Sequence, residues 1–257
     1  MHYLALAVDF DGTLAHDGIV ASETLTMLQR VAATGRYLIL VTGRTLLDLQ
    51  RVFPDIGLFD LAVVENGAAL FNPGSQESRS LAVPPPVEFV ERVRQRGVMP
   101  LTVGTSIVAT THPYEDTIID VIRELGLELQ VIFNKGAVMV LPAGVNKASG
   151  LRAALEELEL SAHNVVALGD GENDHALLTS VEYAVAVGDA VPGLKKEADW
   201  VLAGANGAGA VELMKALVKS DLAGRRPLKR QTLLLGHRQN DEEVVMSPTG
   251  DNCGRGR

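Results

Sequence analysis

The 257-residue sequence has almost no cysteine and no long hydrophobic run. Its one cysteine, Cys253, excludes an internal disulfide framework and is typical of a protein in a reducing cytosol. No apolar stretch approaches the roughly 20 residues of a membrane-spanning helix, and the first residues lack the basic and apolar regions of a signal peptide. We therefore expect a cytoplasmic protein without a membrane partner.

Positive charge is scarce as well. The 23 Lys and Arg residues are outnumbered by 32 Asp and Glu, which gives a formal net charge of −9 and argues against nucleic-acid binding by residues 1–220. Residues 221–257 differ, because they hold seven basic and five acidic residues. We interpret this segment as a linker and tail, either disordered or, with a short hairpin over 233–246, the start of a further domain beyond residue 257.

Continuous apolar runs alternate with helical patterns over most of the chain. Such runs are typical of buried parallel strands covered by helices on both faces. The predicted strands are Leu4–Val8, Tyr37–Val41, Leu61–Val64, Val165–Leu168, Ala184–Val187 and Trp200–Leu202. The predicted helices are Glu23–Ala33, Thr45–Phe53, Lys147–Leu158, Asp174–Val181 and Ala208–Val218. The sequence thus predicts an α/β fold with a doubly wound parallel sheet.

The pattern changes between Asn72 and Val145. Residues 72–75 and 84–86 are linker-like, and the order helix, strand, strand then occurs twice. The predicted elements are Val87–Arg96, Leu101–Val103, Ile107–Thr111, Tyr114–Leu125, Glu128–Phe133 and Ala137–Leu141. This order predicts a small α+β module over 81–145, inserted into a core formed by 1–80 and 146–220.

Two carboxylates follow the first strand, in the segment Asp9-Phe10-Asp11-Gly12-Thr13. Residues i and i+2 of a strand point the same way, so we expect Asp9 and Asp11 to face one spot at the carboxyl edge of the sheet. Two ionised carboxylates that lie close together repel unless a cation compensates. A simple Asp-Gly turn is the alternative, but Asp9 stands where an apolar residue is expected.

A second acidic cluster, Gly169-Asp170-Gly171-Glu172-Asn173-Asp174, also ends an apolar strand. Asp170 and Asp174 are four residues apart and can share a face at the start of a helix. Each alone could be a helix cap. Together with the first pair they predict a hard-oxygen site suited to Mg²⁺, and no His/Cys spacing indicates zinc.

Two further segments fit a phosphate beside that cation. Thr42 and Gly43 end the second predicted strand before a helix, where backbone N–H groups form an anion site, although an N-cap and turn would look the same. Lys147 follows the plausible N-cap Asn146, and a nearby anion would favour a cation there. Carboxylates, Thr and Lys in this order suit phosphoryl transfer through an aspartyl-phosphate.

The motifs DFDGTL, VTGR, a single Lys and GDGEND, in this order, resemble those of the haloacid dehalogenase (HAD) superfamily of phosphatases over residues 1–218. The inserted module resembles the α/β cap of the Cof-type, sucrose-phosphate-phosphatase-like branch, and Glu65-Asn66-Gly67-Ala68 resembles its NGA segment. The resemblance implies a HAD-like Rossmannoid core and a Mg²⁺-dependent hydrolase of small phosphomonoesters, such as sugar phosphates or phosphoglycolate-like acids.

The resemblance also implies residue roles. Asp9 would be the nucleophile and a metal ligand, and Asp11 would serve as acid and base and bind the metal through its carbonyl. Asp170 would bind the metal and Asp174 would support it. The phosphoryl group would contact Thr42, Gly43, Lys147 and Asn173, and the candidate substrate contacts are Arg44, Asn66 and His112.

Two alternatives remain open, and two others are disfavoured. A phosphotransferase or phosphomutase shares the motifs, and a phospho-ligand-sensing module of a larger protein would account for the tail. A response-regulator receiver is disfavoured by the insertion and by GDGEND. A dinucleotide-binding fold is disfavoured by its need for a Gly-rich first turn free of acids.

Overall fold

The computed structural model describes residues 1–227 and contains strands and helices in alternation. The strands are β1 (Ala5–Val8), β2 (Ala15–His16), β3 (Ile19–Val20), β4 (Tyr37–Val41), β5 (Leu61–Val64), β6 (Ala69–Asn72), β7 (Glu77–Ser80), β8 (Thr102–Val103), β9 (Val108–Thr111), β10 (Leu129–Asn134), β11 (Ala137–Pro142), β12 (Val165–Gly169), β13 (Tyr183–Ala186) and β14 (Trp200–Val201). The helices are α1 (Ser22–Ala32), α2 (Leu46–Val52), α3 (Val87–Gln95), α4 (Glu115–Glu124), α5 (Lys147–Glu157), α6 (His175–Thr179), α7 (Pro192–Glu197) and α8 (Asn206–Ser220).

Eight strands form the core sheet in the order β14-β13-β12-β1-β4-β5-β6-β7. The first six in this order run parallel to one another, and every residue of β1, β5, β12 and β13 is buried. Such burial explains the continuous apolar runs, because neither face of these strands meets water. The predicted α/β fold with a doubly wound sheet is confirmed, and β1 lies between β12 and β4 at its centre.

The sheet differs from the prediction at one edge. Strands β6 and β7 are antiparallel, and the segment Asn72–Ser75, predicted to be linker-like, lies at the turn between them. The Asn72 side chain accepts hydrogen bonds from the backbone N–H groups of Gly74 and Ser75, at 2.9 and 3.1 Å. An Asn side chain that bonds its own downstream backbone forms a turn, which the composition alone did not distinguish from a linker.

Within residues 87–142 the order helix, strand, strand occurs twice. Strands β8 to β11 form a separate antiparallel sheet in the order β10-β11-β9-β8. Because side chains alternate across a strand, Val138 and Val140 of β11 pack in the cluster that includes the helix residues Phe89 and Ile118. Met139 and Leu141 lie on the other face, in a cluster with the core residue Ala68. We call residues 81–145 the cap.

The described chain continues past α8. Asp221 pairs with Arg36, Leu222 is buried, and Arg225 stacks over the partly buried Trp200 with its guanidinium carbon 3.4 Å from the ring centroid. The packed region therefore extends beyond residue 220, where the tail was predicted to begin. The predicted hairpin over 233–246 and Cys253 lie outside the described residues. Within residues 1–227, no helix is both long and apolar enough to span a membrane.

Candidate active site

Asp9 is the first residue beyond β1, and it is buried in the centre of the carboxyl edge of the sheet. Its backbone N–H continues the ladder to Leu168 of β12 at 3.0 Å, which fixes the residue although the strand has ended. The Asp9 carboxylate accepts a hydrogen bond from the Lys147 ammonium at 2.5 Å. Burial raises the pKa of Asp9 well above its ordinary value; Lys147 lowers it, whereas Asp174 and Asp170 raise it further.

Lys147 is fully buried in the first turn of α5, as its sequence position predicts. Asn146 caps this helix, with its side chain accepting from the Ser149 N–H and its own N–H donating to the Ser149 hydroxyl, both at 3.0 Å. Burial alone would lower the pKa of Lys147, but the charges of Asp174 and Asp9 outweigh it and hold the pKa above its ordinary value. The ammonium therefore stays charged between the two carboxylates.

Three buried carboxylates, those of Asp9, Asp170 and Asp174, bring oxygen atoms within 4.8 Å of one another. They face one fully buried ammonium, so negative charge is in excess. Burial raises the pKa of Asp170 above its ordinary value despite hydrogen bonds from Lys135 and Thr13. Clustered carboxylate oxygens with uncompensated charge fit a hard divalent cation.

Asp174 has a supporting role in this cluster. One of its oxygens accepts from Lys147 at 2.6 Å, and the other accepts from the backbone N–H groups of Asp170 and Gly171, at 2.9 and 3.0 Å. Both oxygens are therefore occupied within the protein. Among the described residues only Lys147 donates to the Asp9 carboxylate, which leaves one Asp9 oxygen for a cation. Asp170 accepts from the Thr13 hydroxyl and from the partly exposed Lys135 ammonium, and it would offer an oxygen to a cation in place of Lys135.

Asp11 does not join this cluster, contrary to the expectation that it faces the same spot as Asp9. Strand β1 ends at Val8 and the chain turns at Phe10, so the alternation of a strand no longer applies. The Asp11 carboxylate instead accepts two hydrogen bonds from the Arg44 guanidinium, at 2.6 and 2.7 Å. Such a bidentate pair orients the partly exposed Asp11 carboxylate at the rim of the site.

The loop after β4 joins the candidate phosphate site to the segment after β5. The buried Thr42 hydroxyl accepts from the Arg44 N–H at 3.1 Å, and the Thr42 carbonyl accepts from the Asn66 N–H at 2.9 Å. Asn66 in turn accepts from the Asn173 amide at 3.0 Å. Asn66 Nδ2 and Asn173 Oδ1 are buried and have no hydrogen-bond partner among residues 1–227. Two orphaned polar atoms at one place indicate a polar ligand.

Glu65 connects this loop to the cap, a role that the sequence analysis missed. Its buried carboxylate accepts from three successive cap N–H groups, those of Thr105, Ser106 and Ile107, at 2.8, 2.7 and 3.1 Å. Glu65 and Asn66 both have left-handed backbone angles, with φ of 52° and 55°. Consecutive non-glycine residues in this region are costly and persist only where surrounding contacts hold them, which here are the cap loop and the Thr42 loop.

The turn between β10 and β11 brings the tip of the cap onto the core site. The Lys135 ammonium contacts the Asp170 carboxylate, and the Lys135 N–H donates to the Glu172 carboxylate at 3.1 Å. Two glycines of the core, Gly12 and Gly171, leave room for this turn. A methyl group at Gly171 would overlap Asn134 Oδ1, and one at Gly12, whose φ is +79°, would lie 2.8 Å from Lys135 Nζ.

Sequence reasoning predicted the two strands around Lys135 but not its position. The short sequence Asn134-Lys135-Gly136 is a turn signal, and nothing in it indicates which part of the core the turn meets. Conversely, His112 is not brought to the core carboxylates. Its side chain is 72% exposed and pairs with Glu115. The backbone N–H of His112 donates to the Gly136 carbonyl in the neighbouring turn.

Comparison with known proteins assigns this arrangement to a family. The model of the haloacid dehalogenase-like hydrolases matches residues 6–83 and 107–214, which include Asp9, Thr42, Lys147 and Asp170. The chain belongs to this family. A phosphoglycolate phosphatase from Methanothermobacter thermautotrophicus is 30% identical over 220 residues, covering 82% of this chain and 97% of its own. An HMP-PP phosphatase from Serratia proteamaculans is 26% identical over 239 residues, covering 75% and 86%.

The fold agrees with this assignment. The solved structure of a HAD subclass IIB sugar phosphatase superposes with a TM-score of 0.67 at 19% identity, covering 83% of this chain and 97% of its own. The predicted HAD family and its Cof-type branch are therefore confirmed, as is a phosphatase class at the level of the family. The named relatives act on chemically different phosphate compounds, so the family assignment does not by itself identify a substrate.

Proposed function

We propose that this HAD hydrolase is a Mg²⁺-dependent phosphomonoesterase that acts on a small phosphorylated metabolite in the cytoplasm through a phospho-Asp9 intermediate. One observation carries the proposal. A buried Asp9 carboxylate lies 2.5 Å from a buried ammonium, within a cluster of three acids whose charge that one ammonium does not balance. Such a site is suited to a phosphate and a divalent cation bound together.

The cation would be held by Asp9 and Asp170, with Asp174 fixing the Asp170 loop and the main-chain carbonyl of Asp11 as a further ligand. When bound, it would neutralise the phosphoryl oxygens and the Asp9 carboxylate, so that the two anions can approach. Lys147 adds a fixed positive charge at one oxygen of the Asp9 carboxylate, and the cation would take the other.

The chain's own residues then account for the first half of the reaction. An Asp9 carboxylate oxygen attacks phosphorus, and the bond from phosphorus to the ester oxygen breaks. Protonated Asp11 gives its proton to the leaving oxygen. Thr42, the Gly43 backbone and Asn173 would hold the phosphoryl oxygens, and one of these oxygens would accept from the orphaned Asn66 Nδ2.

The second half reverses the role of Asp11. Its carboxylate accepts a proton from water as the water oxygen attacks phosphorus, and the bond between phosphorus and Asp9 breaks to release phosphate. Arg44 supports this role, because its bidentate contact keeps the Asp11 carboxylate oriented at the rim of the site. The cap over 81–145 would exclude other water and contact the leaving group.

Phosphate release from a panel of phosphomonoesters tests the proposal. We expect wild type to release phosphate with Mg²⁺ but not with EDTA, and the Asp9→Asn variant to release none while circular dichroism shows that it is folded. Release by the variant at the wild-type rate would overturn the mechanism.

The panel also separates the alternatives. Phosphate that leaves the ester but is recovered on an added sugar hydroxyl would identify a phosphotransferase or phosphomutase. Binding of an ester without turnover by the folded wild type would indicate a sensing module, and the residues after 227 would then need study.

A further inference from the structure

The cations around the candidate site differ in how free they are. Lys147 is fully buried and held by Asp9 and Asp174. Arg44 is 23% exposed and held by Asp11 and Asp48. Lys135 belongs to the cap and is 46% exposed, and its single ion pair in the described structure is with Asp170. Of these three cations, Lys135 can therefore change its partner at the smallest cost in free energy.

The partner that Lys135 holds is one that it would have to release. Asp170 uses one oxygen for the Thr13 hydroxyl and the other for Lys135. Under the proposed function, Asp170 ligates a divalent cation, and an ammonium cannot remain on the same oxygen because like charges repel. Lys135 would then carry a positive charge at a closed site without an anion of its own.

A substrate can supply that anion on the cap side. The phosphoryl group lies toward the core, with Thr42, Lys147 and Asn173, so whatever faces Lys135 belongs to the leaving group. The cap turn is anchored from the core, since the Lys135 N–H bonds Glu172, while its long side chain is free to swing.

We propose that Lys135 is the specificity-determining residue of the cap and binds a carboxylate on the leaving group, which makes phosphorylated carboxylic acids the preferred substrates. This inference rests on the proposed function and deepens it. In the absence of substrate and metal, the same ammonium covers Asp170 and limits repulsion among the three buried acids. One residue would thus compensate charge in the empty site and select substrate in the filled one.

A matched pair of esters tests the proposal. 2-Phosphoglycolate and ethyl phosphate share a two-carbon leaving group and differ by a carboxylate in place of a methyl group. We expect Lys135→Met to lower kcat/KM for 2-phosphoglycolate about 100-fold and to change kcat/KM for ethyl phosphate less than about threefold. Lys135→Arg should recover part of the loss. Lys215→Met, which removes an exposed lysine of α8 paired with Glu23, is the control and should change neither value.

Calorimetry supplies a readout that does not depend on turnover. In an Asp9→Asn background with Mg²⁺, Lys135→Met should weaken 2-phosphoglycolate binding by a similar factor and leave ethyl phosphate binding unchanged. Equal losses for both esters would place Lys135 with the phosphoryl group and overturn the inference, and so would no loss for either. If wild type hydrolyses ethyl phosphate but shows no dependence on Lys135, the inference fails alone. If it hydrolyses no ester, the proposed function fails and the inference fails with it.

Discussion

The two edges of the core sheet both carry ion pairs with a buried cation, but they balance charge differently. At the amino edge, the buried Arg36 guanidinium bonds the Tyr3 carbonyl, the Thr34 hydroxyl and the Asp221 carboxylate, at 3.0, 2.7 and 2.7 Å. One cation there has one anion. At the carboxyl edge, three buried carboxylates share one buried ammonium. A buried cation paired with a carboxylate is thus common to both edges, and the excess of buried negative charge distinguishes the candidate active site.

The direction of the pKa shifts follows the same division. Burial raises the pKa of both Asp9 and Asp221. At Asp221, hydrogen bonds from the His2 N–H and from Arg36 outweigh burial, and the pKa lies below its ordinary value. At Asp9 the charges of the neighbouring acids add to the effect of burial, and the pKa lies above its ordinary value. Substitutions at the two edges should therefore affect different properties of the protein.

The largest effect is expected from Asp9→Asn. Loss of the nucleophile should lower phosphate release by at least about 10⁴-fold. The free energy of unfolding should change by less than about 1 kcal/mol, because the substitution removes a charge whose burial is itself unfavourable. Urea denaturation beside a turnover assay measures both. A large loss of stability with activity retained would show that this edge is structural.

Lys147→Met should affect both properties. We expect kcat/KM to fall about 10²- to 10³-fold, since a fixed charge at the transferring phosphoryl group is lost. We also expect a loss of about 3 kcal/mol in unfolding free energy, since Asp9 and Asp174 would face each other without a cation. An unchanged kcat/KM would mean that Lys147 only compensates buried charge.

Glu65→Gln should have an intermediate effect, on the cap rather than on the chemistry. Glu65 lies at the carboxyl edge, but its partners are backbone N–H groups instead of cations. An amide in its place turns one donor toward these donors, so the N–H groups of 105–107 should exchange with deuterium at least about tenfold faster. The same acid-to-amide change at the exposed Glu88 of the cap is the control. Equal exchange in wild type and variant would contradict the proposed anchor.

The smallest effect is expected at the amino edge. Asp221→Asn should cost about 1–2 kcal/mol of unfolding free energy at pH 7 and leave kcat/KM unchanged. Because the folded-state pKa of Asp221 is depressed, this stabilisation is present above about pH 4 and is lost as pH falls through the folded-state value. Urea denaturation of both proteins from pH 7 downward should show the difference shrinking.

Asp17→Asn is a matched control for this test. Asp17 has nearly the same left-handed backbone, with φ of 49° against 51° for Asp221, and its side chain is exposed. Asn is well accepted in this conformation, so neither substitution adds backbone strain. A loss of stability at Asp17 equal to that at Asp221 would mean that the pairing with Arg36 contributes nothing.

Sequence alone predicted the parts of the fold that local pattern determines. Strands buried on both faces, such as β1 and β12, are continuous apolar runs, and their carboxyl ends must meet at one edge of the sheet. That rule predicts the positions of Asp9 and Asp170, and the helix N-cap at Asn146 predicts the position of Lys147.

The contacts between cap and core could not be predicted in this way. They depend on how an inserted segment sits on the sheet, and neither Glu65 nor Lys135 lies in a pattern that indicates its distant partner. Asp11 does not lie where alternation predicts it, because β1 ends at Val8 and alternation holds only within a strand.

The absence of side chains at Gly12 and Gly171 has a consequence for engineering the substrate selectivity of this enzyme. Because the core has no side chain at these two glycines, the hairpin of β10 and β11 determines the shape of the site on the cap side. Met139 of the same hairpin also reaches the site, because its Sδ would lie 3.3 Å from a methyl group at Gly43. A library randomised at Asn134, Lys135 and Met139 would therefore change side chains that the cap places over the site. The acids and the lysine beneath would stay untouched, so selectivity could be evolved in the laboratory without rebuilding the chemistry.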